Sequence, residues 1–297
     1  MSGPPTIVLR PISADLDAVK RICMTALTED HYATHLPATL LRTLRHTFSA
    51  TVDNEVVGFC FGSVGADGTE GFIDLIAVAP VWQGRNVGGR LLVALEERLH
   101  ESGCRVVRVA GHPPVYAWPG VDHRYTRAIC LFEGTGYRRD GVEVNMRVQL
   151  ERSRLHTKAD EQRLARSKIS FRRARTDETD ELREQLARDW KADWLTELAM
   201  AIAGSRSGAV LAMRHETCVG FCAYGLNRPN EVGPLGTAPA LQRRGVGTVL
   251  IRRAMKELVA QGEPVAEIPW AGPLSFFART LGAHVNRVFV TYHKSLA

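Results

Sequence analysis

The sequence lacks paired cysteines and long apolar runs, and these absences exclude several classes of protein. Its cysteines form no C-x-x-C pair, and no histidine lies at metal-ligand spacing from them, so we expect free thiols, a reducing compartment and no metal site. No stretch approaches the roughly 20 apolar residues of a membrane-spanning helix. Residues 1–5 show neither the charged nor the apolar region of a signal peptide, so we expect a cytoplasmic protein without a membrane partner.

What is present is typical of a globular protein with two domains. Of the 297 residues, 45% are hydrophobic and 24% are charged, and domains usually contain about 100–150 residues. The net charge of +6 divides into −1 for residues 1–150, +3 for residues 151–168 and +4 for residues 169–297. This surplus permits an anionic partner, but no recognised nucleic-acid motif accompanies it, so we expect no nucleic-acid partner.

The chain contains an internal repeat of domain size. Residues 57–60, Val-Gly-Phe-Cys, recur at 219–222, and later matches preserve the order of the two copies. These later pairs are Gln83 with Gln242, Gly103 with Gly262, and Gly136 with Gly282. We therefore predict domains at 1–150 and 169–297, joined by a charged linker at 151–168 that contains neither glycine nor proline.

Each copy has the pattern of a mixed α/β domain. The predicted order is a strand, a helix pair, three strands, a helix, a strand, a helix and a final strand. Residues 87–102 and 246–261 place leucine, valine and alanine at helical spacing, which predicts one buried face for each helix. The fold class is therefore α/β, with helices flanking a central mixed sheet.

The most informative segment runs from Gln242 to Thr248 and follows the fourth strand of the second copy. Gly245 and Gly247 allow the backbone to turn so that its N–H groups converge at the start of a helix, which favours phosphate binding. Arg243 and Arg244 add positive charge. A glycine-rich turn without a ligand is the alternative interpretation.

This segment resembles the pyrophosphate loop, Gln/Arg-x-x-Gly-x-Gly/Ala, of the GNAT superfamily of acetyl-CoA-dependent N-acetyltransferases. The second copy matches the pattern fully, whereas the first copy has Asn86 in place of the first glycine. Asparagine tolerates a left-handed backbone, so the first loop can retain its shape. The resemblance covers nearly the whole chain outside the linker and implies two tandem GNAT folds, each with a mostly antiparallel sheet.

The resemblance also implies that acetyl-CoA is the cofactor and that its pantetheine arm lies where a bulged fourth strand splays from the fifth. The second copy, with its intact loop, is predicted to be the main cofactor site. The residues expected at the cofactor are Leu235, Thr237, Gln242, Arg243, Arg244, Gly245, Val246, Gly247 and Thr248 in the second copy, and Ile76, Val78, Gln83, Arg85, Val87, Gly88 and Gly89 in the first.

Acetyl transfer to an amine needs a group that accepts a proton, because an amine is mostly protonated at neutral pH. Glu231 matches the general-base glutamate of the histone-acetyltransferase branch, although a solvent-exposed carboxylate at a strand end is an equal interpretation. The first copy has Phe72 at that position, and Asp74 is the candidate there, since a strand places residues two apart on one face. The tyrosine that many members carry in the last helix is replaced by Phe132 and Phe277.

The acceptor is predicted to be a small-molecule amine. Glu267, on the fifth strand of the second copy, is a candidate to bind the ammonium group of the acceptor, although a half-exposed strand position is its favoured interpretation. Trp270 follows this strand and is a further candidate. The corresponding segment of the first copy is longer and contributes Tyr116, Trp118 and Asp122 as candidates for a polar ligand, with a proline-stiffened packing loop as the alternative.

The leading functional hypothesis is an N-acetyltransferase that acts on an amino sugar by direct attack of the amine on the thioester. Residues 268–273, Ile-Pro-Trp-Ala-Gly-Pro, favour that acceptor over a mycothiol-type precursor or an antibiotic amine. The alternative from another class is a non-catalytic CoA-binding or interaction module, which the missing phenols and Asn86 would fit.

Overall fold

The computed structural model describes residues 8–11, 15–30, 32–34, 46–112, 117–150 and 155–296. The chain forms two compact units, of which the first comprises Met1–Glu143 with Val288–Ala297 and the second comprises Val144–Arg287. No helix in these described ranges is long and apolar enough to cross a membrane.

The described strands and helices follow the predicted order, apart from an additional short strand at Val121–Asp122; the second helix predicted between the first two strands of the first copy lies outside the described residues. The strands are β1 (Val8–Pro11), β2 (His46–Val52), β3 (Glu55–Val64), β4 (Glu70–Val78), β5 (Val106–Val109), β6 (Val121–Asp122), β7 (Arg138–Gln149), β8 (Ile169–Arg173), β9 (Gly208–Arg214), β10 (Thr217–Tyr224), β11 (Val232–Thr237), β12 (Val265–Ile268) and β13 (His284–Ser295). The helices are α1 (Leu16–Ala26), α2 (Val87–Glu101), α3 (Thr126–Gly134), α4 (Lys158–Ala165), α5 (Thr179–Leu186), α6 (Ala192–Ala203), α7 (Val246–Ala260) and α8 (Leu274–Leu281).

The sheet of the first unit runs in the order β1-β2-β3-β4-β5-β13, with β6 also paired to β13. Its described pairings are antiparallel except for the parallel pair β4–β5. Helix α2 buries the predicted apolar face against this sheet, and the side chains of Leu91, Leu92, Leu95 and Leu99 are all fully buried. The predicted helical periodicity is therefore confirmed.

The second unit repeats this arrangement. Strands β8, β9, β10 and β11 form an antiparallel sheet, and β12 pairs with the second half of β7. Helix α7 buries Val249, Leu250, Ala254 and Leu258, the face predicted from spacing.

The fourth strand of each copy is bulged and separates from the fifth, as expected. Strand β4 pairs with β5 only as far as the Ile73–Val109 pair, and the next residue, Asp74, is the extra residue of a bulge opposite β3. Strand β11 has a similar bulge opposite β10. An isolated parallel β-bridge between Glu231 and Glu267 lies directly before the first residue of β11. The mixed α/β class with two such repeats is confirmed.

The compact units do not coincide with the two sequence copies. Their boundary falls within β7, at Glu143–Val144, and again within β13, at Arg287–Val288. Each unit thus contains the end of the other copy's last strand, and the predicted linker at 151–168 lies inside the second unit, where part of it forms α4. The predicted domains at 1–150 and 169–297 correspond to the two copies of the repeat. The compact units differ from them because each unit includes the end of the other copy's last strand.

Candidate active site

A cavity of about 990 Å³ lies in the first unit, where β4 and β5 separate. Its walls come from β4 at Ile73–Val78, from the loop and first turn at Gln83–Gly89, and from the end of β5. Residues 118–132, including α3, close another side. The cavity therefore combines the predicted cofactor loop of the first copy with the part of the bulged strand that does not pair with β5.

The loop before α2 adopts the same left-handed conformations as its counterpart before α7. Gly84 and Asn86 have φ angles of 76° and 59°, and the equivalent Arg243 and Gly245 have 59° and 93°. Asparagine is one of the few residues other than glycine that adopt this region readily, which explains how the first loop keeps its shape without the motif glycine.

The first unit fits the cofactor that its sequence implies. Helix α2 begins at Val87 without a side-chain cap, so its first backbone N–H groups are available to a phosphate. The predicted residues Ile76, Val78, Gln83, Val87, Gly88 and Gly89 all line the cavity. Arg85 does not line it, and its guanidinium instead lies 4.9 Å from the ring centroid of Trp82.

Asp74 lines this cavity at the bulge of β4, and its side chain is buried, with 4% exposed. Neither carboxylate oxygen has a hydrogen bond of normal geometry within the described residues. Burial raises the pKa of Asp74 well above its ordinary value, while the nearby Ser63 hydroxyl and His112 backbone N–H act weakly in the opposite direction. An unpaired carboxyl group with a raised pKa at the edge of a cleft is a candidate proton acceptor.

The aromatic residue at the family's base position has a different role. The ring of Phe72 lies against the imidazole of His112, with the centroids 4.2 Å apart. Asp74 lies close to the Ser63 hydroxyl, and Ser63 is the cross-strand partner of Phe72, so Asp74 is on the same face of the strand as Phe72, as predicted. The carboxyl group lines the cavity from that face although it is the extra residue of the bulge.

A second group of polar side chains lines the same cavity. Asp30 accepts hydrogen bonds from Trp118 Nε1 at 2.7 Å and from the Tyr125 hydroxyl at 2.8 Å. The Tyr125 hydroxyl in turn accepts one from the backbone N–H of Glu29 at 3.0 Å. Sequence analysis singled out Trp118 but missed Asp30 and Tyr125, because no local pattern connects residues about 90 positions apart.

Asp122 and Arg124 lie next to this group. The guanidinium of Arg124 donates to both oxygens of Asp122, at 2.9 Å and 2.7 Å, and to Glu29 Oε2 at 2.5 Å. These contacts, together with the charges of Glu29 and Asp30, raise the pKa of the guanidinium. Tyr116, the remaining candidate from this segment, lies outside the described residues.

The matching loop of the second unit is in contact with helix α4. Arg163 Nη1 donates to the carbonyl oxygen of Arg244 at 3.0 Å, and Nη2 lies 2.6 Å from the point where a Cβ on Gly245 would stand. Gly247 faces Thr237 and Phe276, and Gln242 Nε2 donates to the carbonyl oxygen of Thr237 at 3.3 Å. Arg243 and Arg244 are exposed, while Leu235, Val246 and Thr248 are partly or fully buried.

Glu231 lies directly before β11, where the second unit's strands separate, and it is 3% exposed. This burial excludes the solvent-exposed interpretation. It raises the pKa of Glu231 to about 7, with a further increase from Glu267 and opposing effects of Arg228 and Asn227. Glu231 Oε1 accepts a hydrogen bond from Asn227 Nδ2 at 3.1 Å.

Glu267 and Trp270 are linked through Asn145. Asn145 Nδ2 donates to Glu267 Oε1 at 2.5 Å, and the backbone N–H of Trp270 donates to Asn145 Oδ1 at 3.2 Å. Glu267 is 7% exposed, so the half-exposed interpretation of this residue is wrong. A further buried carboxyl group, that of Glu197 on α6, has its pKa raised to about 8 by burial and by the charges of Glu231 and Asp193.

The chain matches the model of the acetyltransferase (GNAT) family at residues 16–116 and 172–270, which together make up more than half of its length. The protein therefore belongs to the GNAT acetyltransferase family and contains two copies of its domain. Acetyl-CoA is the acetyl donor of this family. A comparison with curated proteins gave no match.

Solved structures share the tandem fold at low sequence identity. A GCN5-related glucosamine N-acetyltransferase region of a fungal multi-domain GH3 β-N-acetylglucosaminidase has a TM-score of 0.80 and 19% identity over 98% of this chain, which spans 38% of that chain. A tandem GNAT protein of the clavulanic acid biosynthesis pathway has a TM-score of 0.70 and 13% identity, covering 98% of both chains. A GCN5-related N-acetyltransferase from Sphaerobacter thermophilus has a TM-score of 0.68 and 15% identity, covering 97% of this chain and 95% of its own.

Proposed function

We propose that the protein transfers an acetyl group from acetyl-CoA to a primary amine of a small molecule, and that transfer takes place in the first unit. The observation that carries the proposal is the cavity of about 990 Å³ that connects the phosphate loop with the buried carboxyl group of Asp74. This location differs from the sequence-based prediction, which favoured the second copy for its intact glycine motif.

Different residues of the first unit bind the cofactor and accept the proton in this proposal. The N–H groups at the start of α2 and the loop 83–89 hold the phosphates, and the unpaired backbone of β4 at Ile76 and Val78 holds the pantetheine arm. Bound acetyl-CoA supplies the acetyl thioester. Asp74 accepts the proton that the acceptor ammonium loses, and its raised pKa makes it a stronger base than an ordinary carboxylate.

The acceptor is proposed to be an amino sugar. The sequence-based preference for this class rests on residues 268–273, which lie in the second unit. For the first unit the support is the fungal relative in fold, which is described as a glucosamine N-acetyltransferase region. A mycothiol-type precursor and an antibiotic amine are the other acceptors that the assay below distinguishes.

The second unit is the alternative location for transfer, because Glu231 has a pKa of about 7 and its loop matches the family pattern. A carboxyl group that titrates near neutral pH is well matched to general-base catalysis. Arg163 favours the first unit instead, because its guanidinium already lies against the second loop.

A pair of matched substitutions separates the two locations. In Gly88→Trp and Gly247→Trp, a large side chain is placed in the equivalent position of each loop, and acetyl-CoA binding is measured by calorimetry beside thiol release with amino sugars, aminoglycosides, polyamines and peptide N-termini. We expect Gly88→Trp to abolish turnover and Gly247→Trp to preserve it. The reverse result would move the site to the second unit, and binding without thiol release for any acceptor would support a non-catalytic CoA-binding module.

A further inference from the structure

The acceptor end of the cavity is built around a carboxylate that sequence analysis did not identify. Asp30 is 9% exposed, lines the cavity, and is held through both oxygens by Trp118 and Tyr125. A side chain fixed by two hydrogen bonds is preorganised for a ligand, because it loses little conformational freedom when the ligand binds.

The charged groups of this cavity are arranged in two sets. Arg127 Nη1 donates to Gln83 Oε1 of the phosphate loop at 3.1 Å. A positively charged side chain therefore lies next to the part of the cavity that we assign to the cofactor. Asp30 and Asp122 lie on the segments that we assign to the acceptor. An acidic wall attracts an ammonium group and repels a carboxylate.

Arg124 does not reverse this polarity. Its guanidinium is engaged by both oxygens of Asp122 and by Glu29, and it also interacts with the charge of Asp30. The single positive charge of Arg124 is thus shared among the carboxylates of Asp122, Glu29 and Asp30. Trp118, beside Asp30, adds an aromatic surface of the kind that packs against the apolar face of a sugar ring.

We infer that Asp30 is the specificity-determining residue of the acceptor site: it binds hydroxyl or ammonium donors of the acceptor away from the reacting amine, and it excludes amines that also carry a carboxylate. The acceptor class is thus a hydroxylated amine without acidic groups. This inference rests on the proposed function of the first unit.

The position of Asp30 depends on its neighbours. The backbone N–H of Gly111 donates to the carbonyl oxygen of Trp118 at 2.7 Å and fixes the segment that carries the indole. Gly120 packs so closely against β13 that a Cβ there would lie 2.5 Å from the carbonyl oxygen of Val290. Tyr125 precedes α3 directly. The donors that hold Asp30 are therefore anchored to strands and a helix of the same unit.

The test uses three acceptors that differ in their hydroxyl and carboxylate groups. Glucosamine has hydroxyl donors and no carboxylate, muramic acid carries a carboxylate on a lactyl ether in place of the 3-hydroxyl group of glucosamine, and cyclohexylamine has a six-membered carbocycle and an amine without hydroxyl groups. Wild type should prefer glucosamine over both. Asp30→Asn should raise the KM for glucosamine roughly ten- to hundredfold, as expected for the loss of a hydrogen bond to a charged group, while leaving acetyl-CoA affinity unchanged.

Two further variants distinguish recognition from structural damage. Tyr125→Phe removes one donor to Asp30 and should raise the same KM by a smaller factor, whereas Asp17→Asn, an exposed aspartate of α1, should have no effect. Asp30→Asn should also reduce the discrimination against muramic acid. Equal losses for all three acceptors, or a wild type that acetylates muramic acid as readily as glucosamine, would overturn the inference and leave the proposed function intact.

A binding measurement separates this inference from the proposed function. If no acceptor is acetylated, calorimetry with glucosamine in the presence of CoA still compares wild type with Asp30→Asn. Binding by wild type alone supports the role of Asp30 although the proposed transfer fails, and equal binding or no binding by both proteins refutes it.

Discussion

Glu197 provides a direct test of the electrostatics of the second unit. This carboxyl group is 8% exposed on α6, and its pKa is raised from 4.5 to about 8 by burial and by the charges of Glu231 and Asp193. A carboxyl group with a raised pKa in the folded state binds its proton more tightly there than in the unfolded chain. Its contribution to stability is therefore complete below pH 4.5 and is lost as the pH rises through 8.

The magnitude follows from the size of this shift. Each pKa unit corresponds to about 1.4 kcal/mol, so the change from 4.5 to about 8 corresponds to at most roughly 5 kcal/mol of stability lost above pH 8. Glu197→Gln retains the shape and hydrogen-bonding capacity of the protonated side chain but does not ionise.

Thermal unfolding of wild type and Glu197→Gln between pH 5 and pH 9 measures this effect. The two proteins should melt at similar temperatures at pH 5, and at pH 9 the variant should melt higher by roughly 10 °C, at about 2–4 °C per kcal/mol. The control Glu184→Gln changes an exposed glutamate of α5 and should follow wild type throughout. Parallel curves for wild type and Glu197→Gln across the whole pH range would refute the assigned ionisation.

Three further outcomes test the first unit. Asp74→Asn should lower kcat by about 10²–10⁴ and remove the acidic limb of the pH–rate profile, which arises when Asp74 is protonated and cannot act as a base; an unchanged profile would exclude Asp74 as the base. Asn86→Ala should weaken acetyl-CoA binding in calorimetry, because a left-handed backbone costs alanine about 1–2 kcal/mol, while Asn86→Gly should bind normally. Gly120→Ala should lower the melting temperature by crowding Val290, whereas Gly134→Ala, with no atom within 4 Å of its Cβ, should raise it slightly.

The two units differ in the features that the proposed reaction would use. The second unit has the complete loop motif and the buried carboxyl group of Glu231, while the first has a large cavity lined by polar side chains. A sequence motif reports which backbone conformations are permitted, but it does not report whether space remains beside the loop. Arg163 illustrates this difference, because it reaches the second loop from a helix that the sequence identified only as a charged linker.

Local signals in the sequence determined the elements and their order. The boundaries predicted for α2 and α7 differ from the observed ones by a single residue, because their apolar faces repeat at helical spacing and both follow a glycine-containing turn. The repeat likewise indicated two copies of one domain, which the loop motif identified by resemblance as GNAT folds, and the left-handed backbone expected at Asn86 is present. These features depend on residues close together in the chain.

Tertiary structure alone decided which residues meet. The contact of Asp30 with Trp118 and Tyr125 joins positions about 90 residues apart, and the burial of Glu197, Glu231 and Glu267 depends on three separate elements. The last strands of the two copies, β7 and β13, are each divided between the two units. This division depends on the strands with which they pair, and hydrophobic periodicity does not specify those partners. The sequence by itself thus determined the fold family and its cofactor loop. The location of the cavity, the carboxylates that line it and the raised pKa of Asp74 depend on burial and distance, which arise only when the chain is packed.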